Sequence, residues 1–72
     1  MSDYISKGAI KVIEVIGVSD RGWEAAVGQA VAKASESVKG ITGVEVVSQT
    51  ARVSDGKVVQ YNATVKLAFV VA

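Results

Sequence analysis

The sequence contains no cysteine and no histidine. Without cysteine the chain can form no disulfide bond, which leans weakly towards a reducing, cytosolic compartment. Without histidine it lacks the most common ligand of transition metals and the usual general base at neutral pH. No pairing of a nucleophile with a base is visible, so we predict that the protein is not an enzyme.

The sequence also has no large excess of charge of one sign and no long apolar run. Eight basic and seven acidic residues are scattered along the chain, so no basic stripe marks a face for nucleic acid. No apolar run approaches the roughly 18 residues of a membrane span. The first residues, MSDYISKGAI, lack the charged segment followed by an apolar segment that is typical of a signal peptide. We therefore expect a cytoplasmic protein that binds neither nucleic acid nor membrane.

What the chain has is a high apolar content in a short length, with 50% hydrophobic residues among 72. A domain of this size buries only about 60% of the surface of its unfolded chain, so its own core gives marginal stability. Small proteins usually gain stability from disulfides, metals or oligomerisation, and oligomerisation is what remains here. We predict one domain over residues 1–72, with residues 1–8 as a loose tail, that binds copies of itself.

Three segments have the pattern of β-strands. The β-branched run over residues 11–16 (KVIEVI) predicts the first strand. Residues 41–54 and 57–71 predict the second and third, and alternation with a period of two is clearest from residue 59 to residue 71. Asp55 and Gly56 between them form the two-residue hairpin signal, because both positions of that turn need a positive φ.

Between the first and second strands, the sequence predicts one helix over residues 20–39. Ser19 is the expected N-cap, Asp20 suits the positive end of the helix dipole, and Gly40 is expected to end the helix. The apolar stripe consists of Trp23, Val27, Ala30, Val31, Ala34 and Val38. The predicted fold is therefore α+β, with the order β-α-β-β and a three-stranded antiparallel sheet packed on one helix.

The two-residue turn also predicts the register of the hairpin. It places Glu45 opposite Lys66, and opposite charges facing each other across a ladder support this register. The face that should pack on the helix pairs Val44–Leu67, Val46–Val65, Ser48–Ala63 and Thr50–Tyr61. The other face pairs Ile41–Val70, Gly43–Ala68, Glu45–Lys66, Val47–Thr64 and Gln49–Asn62. Because one helix covers only one side of the sheet, and the hairpin is longer than the helix, we predict that this second face serves assembly and ligand binding.

The order of these elements, with several short motifs, resembles the dodecins, small flavin-binding or storage proteins in which twelve copies form a hollow shell. The motifs are residues 11–17 (KVIEVIG) with Ser19, residues 24–26 (EAA), Glu45-Val46, and Tyr61-Asn62 leading to Phe69. The resemblance implies a hollow homo-oligomer, most simply a dodecamer. It also implies that the stored small molecule is a flavin such as riboflavin, FMN or FAD.

One departure from that family concerns the flavin site. Flavin-binding dodecins carry a tryptophan at the start of the second strand that stacks on the isoalloxazine ring, and Gly43 stands at the matching position. Asn62 stands where those proteins have glutamine. The lack of the stacking residue is more similar to the subgroup called calcium dodecins. The candidate flavin-face residues are Gly43, Glu45, Val47, Gln49 and Asn62.

Glu14 is the candidate metal ligand, because it interrupts an apolar strand. It faces either solvent or an axis where carboxylates of several copies would form an oxygen-rich site for calcium or magnesium. Two functions therefore stay open. One is a shell that stores flavin, and the other is a shell that binds calcium or another metal, or is purely structural.

The aromatic residues are predicted to stabilise the fold rather than to bind a ligand. Trp23 lies at the start of the helix, where packing against residues before the helix is expected. Tyr61 and Phe69 fall on the core side of the third strand, and Phe69 also suits a subunit interface.

Overall fold

A computed structural model describes residues 7–71 of the protein. The elements are β1 (Ala9–Ser19), α1 (Trp23–Ala34), β2 (Ile41–Ser54) and β3 (Lys57–Val71). The predicted β-α-β-β order and α+β class are confirmed. Most of the predicted N-terminal tail, residues 1–6, lies outside the described residues. Within residues 7–71, no helix is long and apolar enough to cross a membrane.

The sheet has the order β1-β3-β2, so β3 lies in the centre and pairs antiparallel with both neighbours. Its pairing with β1 runs from Ala9 opposite Val71 to Ser19 opposite Tyr61, which makes β1 longer than predicted. The molecule is 51 Å long, whereas a helix of 12 residues covers only about 18 Å. The hairpin of β2 and β3 therefore extends well beyond the helix, as expected.

The helix is shorter at both ends than predicted. Ser19 does not cap it, since this residue ends β1 and its Oγ accepts a hydrogen bond from the backbone N–H of Arg21 at 3.0 Å. Gly22 takes the N-cap position without a side-chain hydrogen bond. After Ala34 the chain turns, and the N–H of Val38 donates to the carbonyl of Ala34 at 2.9 Å. Residues 35–37 (SES) are exposed, so no packing offsets the weak helix propensity of serine.

The core lies between α1 and the central strand. Its buried residues are Ala26, Ala30, Ala63, Val65 and Leu67. The partly buried residues packed around them come from β1, α1 and the start of β2, namely Ile13, Val15, Val27, Val31, Ala34 and Ile41. The helix contacts β1 and β3 far more than β2. For this reason Val44 and Val46 lie on the helix side of the sheet yet stay 49% and 45% exposed, so the prediction that they pack on the helix is wrong.

The turn and the first part of the hairpin register are confirmed. Asp55 and Gly56 have φ angles of 52° and 75°, and Ser54 pairs with Lys57 directly across the turn. The predicted pairs between residues 43–46 and residues 65–68 also form, namely Gly43–Ala68, Val44–Leu67, Glu45–Lys66 and Val46–Val65.

The register is shifted between these two regions, because each strand contains one extra residue there. Counting from the turn, Val59 of β3 has no partner, so Thr50 pairs with Asn62, Gln49 with Ala63 and Ser48 with Thr64. The extra residue Val47 of β2 then restores the predicted register. The predicted pairs Val47–Thr64, Ser48–Ala63, Gln49–Asn62 and Thr50–Tyr61 therefore do not form. A third irregularity, at residue 42, pairs Ile41 with Phe69 instead of Val70. One extra residue moves every later side chain to the opposite face of the strand.

Candidate ligand site

The site lies on the sheet face turned away from α1, which we call the outer face. Side chains alternate along a strand, and Val65 and Leu67 are buried towards the helix. Lys66 therefore points to the outer face, with Glu14 of β1 opposite it on one side and Glu45 of β2 on the other. These three exposed residues form a line across all three strands, and we call them the charged row.

Next to the charged row, the outer face has an open pocket of about 450 Å³, which we call the Gly43 pocket. A Cβ at Gly43 would lie 3.5 Å from the Cβ of Ala68, so these two small residues leave room between the larger side chains around them. The lining residues are Val12, Gly43, Val44, Glu45, Lys66 and Ala68. This volume falls in the usual range for small-molecule sites, about 300–1,000 Å³.

The structure brings together only two of the five predicted flavin-face residues. Gly43 and Glu45 line the pocket. Asn62 pairs with Thr50 and lies six residues from Ala68 along β3, a separation of about 20 Å. One ring system cannot contact both Gly43 and Asn62 of the same chain, so a ligand that touches both residue types must lie between two copies.

Val47 and Gln49 are the other two predicted flavin-face residues that lie outside the pocket. Val47 is the bulge residue of β2 and has no opposite partner on β3. The bulge turns Gln49 towards the helix side of the sheet, where it pairs with Ala63. The expectation that Gln49 and Asn62 would present their amides side by side is therefore wrong.

Glu14, the predicted metal ligand, is exposed on the outer face opposite Lys66. A lysine ammonium between two carboxylates opposes the binding of a cation there. Within residues 7–71, no group of three or more acidic, cysteine or histidine side chains is placed to hold a metal ion. Several copies would have to contribute carboxylates to form such a site.

Trp23 contacts the fold itself on the opposite side of the sheet. Its Nε1–H donates to the backbone carbonyl of Thr50 at 2.9 Å. Its ring meets that of Tyr61 edge to face, with centroids 4.9 Å apart and planes at 80°. These contacts agree with the prediction that Trp23 stabilises the start of the helix, and they connect α1 to the hairpin.

Val12, Ala68 and Lys66 also line the pocket, beside Val44, although the sequence did not indicate them as ligand contacts. The alternation of β1 and β3 places each of them on a definite face of its own strand. Their proximity depends on the pairing of β1 with β3, and these strands are joined through α1 and β2 with no short turn between them to set the register.

The chain is a small α+β protein with one helix, an open pocket on the outer face and exposed apolar side chains on its strands. The dodecin family model matches residues 9–72. The chain therefore belongs to the dodecin family, which confirms the resemblance noted in the sequence.

Solved structures agree with this assignment. The dodecin from Streptomyces coelicolor is 31% identical, with a TM-score of 0.90 over 94% of this chain and 97% of that one. The calcium dodecin of Mycobacterium tuberculosis, described as calcium chelating, is also 31% identical, with a TM-score of 0.78 over 90% and 93% of the two chains. The dodecin from Streptomyces davaonensis shares the fold, at 24% identity and a TM-score of 0.88 over 93% and 98%. No curated protein sequence matches the chain.

Proposed function

We propose that this protein is a non-enzymatic, cytoplasmic shell of twelve copies that binds and stores a small flat ligand of the flavin type. The observation that carries the proposal is the Gly43 pocket, which is open, is lined by apolar and charged groups, and lies on a face that α1 does not cover. Membership of the dodecin family supports both the assembly and the ligand class.

The surface of the single chain supports self-association. Large apolar side chains are exposed along β1 and along the hairpin, with Ile10 at 60%, Ile16 at 61% and Val53 at 65%. These residues are spread over both faces of the sheet, in a molecule 51 Å long. Their burial between copies stabilises the assembly by about 25 cal/mol per Å² of apolar surface removed from water.

The large separation between two groups of candidate residues on one chain supports a site shared between copies. Gly43 and Glu45 lie in the pocket, and Asn62 is about 20 Å away on the same chain. In the assembly, the amide of Asn62 from one copy bonds the edge of a ring held in the Gly43 pocket of another. An amide suits this role because it offers both a donor and an acceptor.

Two measurements test the proposal. Light scattering after size exclusion should give a mass about twelve times that of the 7.4 kDa chain. Riboflavin added to the protein should lose fluorescence in a saturable manner, and Asn62→Ala should weaken this binding without changing the mass. A folded monomer at micromolar concentration would contradict the assembly, and a dodecamer that does not quench riboflavin or FMN would contradict the ligand.

Calcium binding is the second candidate, and the calcium dodecin among the similar structures favours it. The isolated chain offers Glu14 and Glu45 on the outer face, with Lys66 between them. A calcium site would therefore form where Glu14 carboxylates of several copies meet. Calorimetric titration of the assembled protein with calcium, beside a Glu14→Gln variant, distinguishes this function from flavin storage.

A further inference from the structure

Asp55 is the one aspartate of the sequence that a glycine follows. The other aspartates, at positions 3 and 20, precede a tyrosine and an arginine. Glycine has no side chain, so its backbone nitrogen can approach the preceding carboxyl group without hindrance, and its backbone rotates more freely than that of other residues. Asp55 and Gly56 are both exposed and together form the turn between β2 and β3.

Asp55 has a backbone conformation that most residues avoid. Its φ of 52° makes it the one residue other than glycine with a positive φ among residues 7–71. The left-handed region is unfavourable for residues with a Cβ, although aspartate tolerates it better than most. Within the same described residues, the Asp55 carboxyl group makes no hydrogen bond and no ion pair within 4 Å. This carboxyl group can therefore turn towards its own backbone.

The ribbon next to the turn has few contacts that resist opening. Only two residue pairs separate the turn from Val59, which has no partner on β2. The pairing of β1 with β3 reaches no further than Tyr61, and residues 53–59 are all exposed. Exposed segments with few packed contacts open locally at a low cost in free energy. The turn therefore samples conformations other than the closed one.

We propose that Asp55 is a modification site at which the chain rearranges to isoaspartate without an enzyme. When the turn opens, the backbone nitrogen of Gly56 attacks the Cγ of Asp55. The N–Cγ bond forms, the Cγ–OH bond breaks, and water leaves with the amide proton, which gives a five-membered cyclic imide. Water then adds to one of the two imide carbonyls and yields either aspartate or isoaspartate.

Isoaspartate changes the hairpin, because the main chain then runs through the Cβ and Cγ of residue 55. One atom is added to a two-residue turn whose geometry must match the twist of both strands. The pair of Ser54 and Lys57 that closes the turn therefore loses its fit. The reaction needs only water and local opening, so this inference is independent of any stored ligand.

Ageing of the assembled protein at neutral pH and physiological temperature tests the inference, with Asp20 as an internal control. Trypsin releases residues 53–57 (VSDGK), and residues 12–21 contain Asp20. Liquid chromatography with mass spectrometry separates the isoaspartate peptide at unchanged mass and detects the imide by the loss of one water. Isoaspartate should form at residue 55 about tenfold faster than at residue 20, or more, because only residue 55 precedes glycine.

Gly56→Asn is the matched variant for this experiment. Asparagine accepts a positive φ in a hairpin turn, and a Cβ at residue 56 would meet no other part of the fold within 4 Å. The variant keeps Asp55 and the turn but adds a side chain beside the attacking nitrogen. Isoaspartate formation at residue 55 should be about tenfold slower than in wild type.

A disulfide across the ribbon tests the need for opening, and the chain has no cysteine of its own. Val53 and Val58 are opposite each other, one pair beyond the pair that closes the turn. Because hydrogen-bonded and non-hydrogen-bonded pairs alternate, their Cα atoms should be about 4.5 Å apart, within the disulfide range of about 4.4–6.8 Å. Val53→Cys with Val58→Cys should isomerise about tenfold more slowly when oxidised than when reduced.

Any of three results would overturn the inference. The first is isoaspartate formation in wild type that is no faster at residue 55 than at residue 20. The second is an equal rate in Gly56→Asn and wild type. The third is an equal rate in the oxidised and reduced forms of the double variant. The first comparison needs no substitution, and a failure to bind flavin or calcium would leave the inference intact.

Discussion

Gly17 of β1 lies directly against the backbone of Ala26 in α1. A Cβ at Gly17 would overlap the carbonyl oxygen of Ala26 and approach the Cβ of Ala30 to 2.9 Å. Gly17 is itself buried, and Ala26 and Ala30 are two of the most buried residues in the chain. The close approach of helix and strand therefore depends on the absence of a side chain at residue 17 and on small residues at 26 and 30.

We predict that Gly17→Ala strongly destabilises the fold. The added methyl group can be accommodated only if α1 moves away from β1, and overpacking of this kind typically costs about 1–3 kcal/mol. Chemical denaturation monitored by circular dichroism measures the change in the free energy of unfolding.

Gly28→Ala is the control for that experiment. Gly28 lies within α1 and is exposed, and a methyl group added there would meet no other part of the fold within 4 Å. Alanine is favoured over glycine in a helix interior by about 1 kcal/mol, so this variant should be more stable than wild type. Similar losses in both variants would mean that the contact at Gly17 does not limit the packing of the helix.

A second prediction concerns the hydrogen bond between Trp23 and the carbonyl of Thr50, which measures 2.9 Å. Trp23→Phe keeps an aromatic ring against Tyr61 but removes the Nε1–H donor. The expected loss is about 0.5–1.5 kcal/mol of unfolding free energy. Thr50→Ala retains the backbone carbonyl and should cost less. A larger loss in Thr50→Ala than in Trp23→Phe would show that the hydrogen bond contributes little.

A third prediction is that Gly43→Trp increases flavin affinity about tenfold or more. Stacking a flat ring on an aromatic side chain contributes about 1–3 kcal/mol, and each 1.4 kcal/mol corresponds to a factor of ten. Gly43 has ordinary contact distance to Ala68 and open space in the pocket, so a side chain can be added there.

Titration of riboflavin into both proteins measures this gain, with Val53→Trp on the exposed hairpin as the control for non-specific stacking. Equal affinities of wild type and Gly43→Trp would mean that another aromatic side chain already holds the ring. Trp23 and Tyr4 of a neighbouring copy are the candidates, and Tyr4 lies outside the described residues.

A fourth prediction uses the central position of Lys66 in the charged row. Lys66→Glu would place three carboxylates side by side across the strands, which is the donor type that calcium prefers. We expect this variant to be less stable than wild type without calcium and to gain thermal stability when calcium is added.

Lys66→Gln removes the ammonium without adding a third carboxylate, and its stability should respond much less to calcium. Thermal unfolding with calcium and with a chelator compares the three proteins. A calcium-dependent rise in wild type would favour the metal-binding alternative over flavin storage.

The parts of the fold that local sequence determines were predictable. Asp55 and Gly56 both have a positive φ and set the pairs next to the turn. Glu45 faces Lys66 as predicted because the extra residues Val59 and Val47, on opposite strands, offset each other. The burial of Val65 and Leu67 followed from alternation, because β3 has one face on the core.

The bulge at Val47 was not predictable in the same way. Both faces of β2 are largely exposed, so hydrophobic alternation gives little information about where an extra residue lies. The pairing of β1 with β3 depends on tertiary packing rather than on a turn. The position of Val12 beside the Gly43 pocket depends on that pairing. The candidate site could therefore be assigned to the outer face, whereas its lining residues required the structure.

The tip of the hairpin has a further consequence for the dynamics of the chain. Beyond Ser19 opposite Tyr61, β3 loses its pairing with β1, and residues 52–60 form only a two-stranded ribbon with exposed valines at 53, 58 and 59. An isolated two-stranded hairpin is marginally stable in water. Amide hydrogens there should exchange rapidly in a free subunit and slowly once neighbouring copies cover the ribbon. The exchange rate at the hairpin tip therefore reports assembly residue by residue, independently of any ligand.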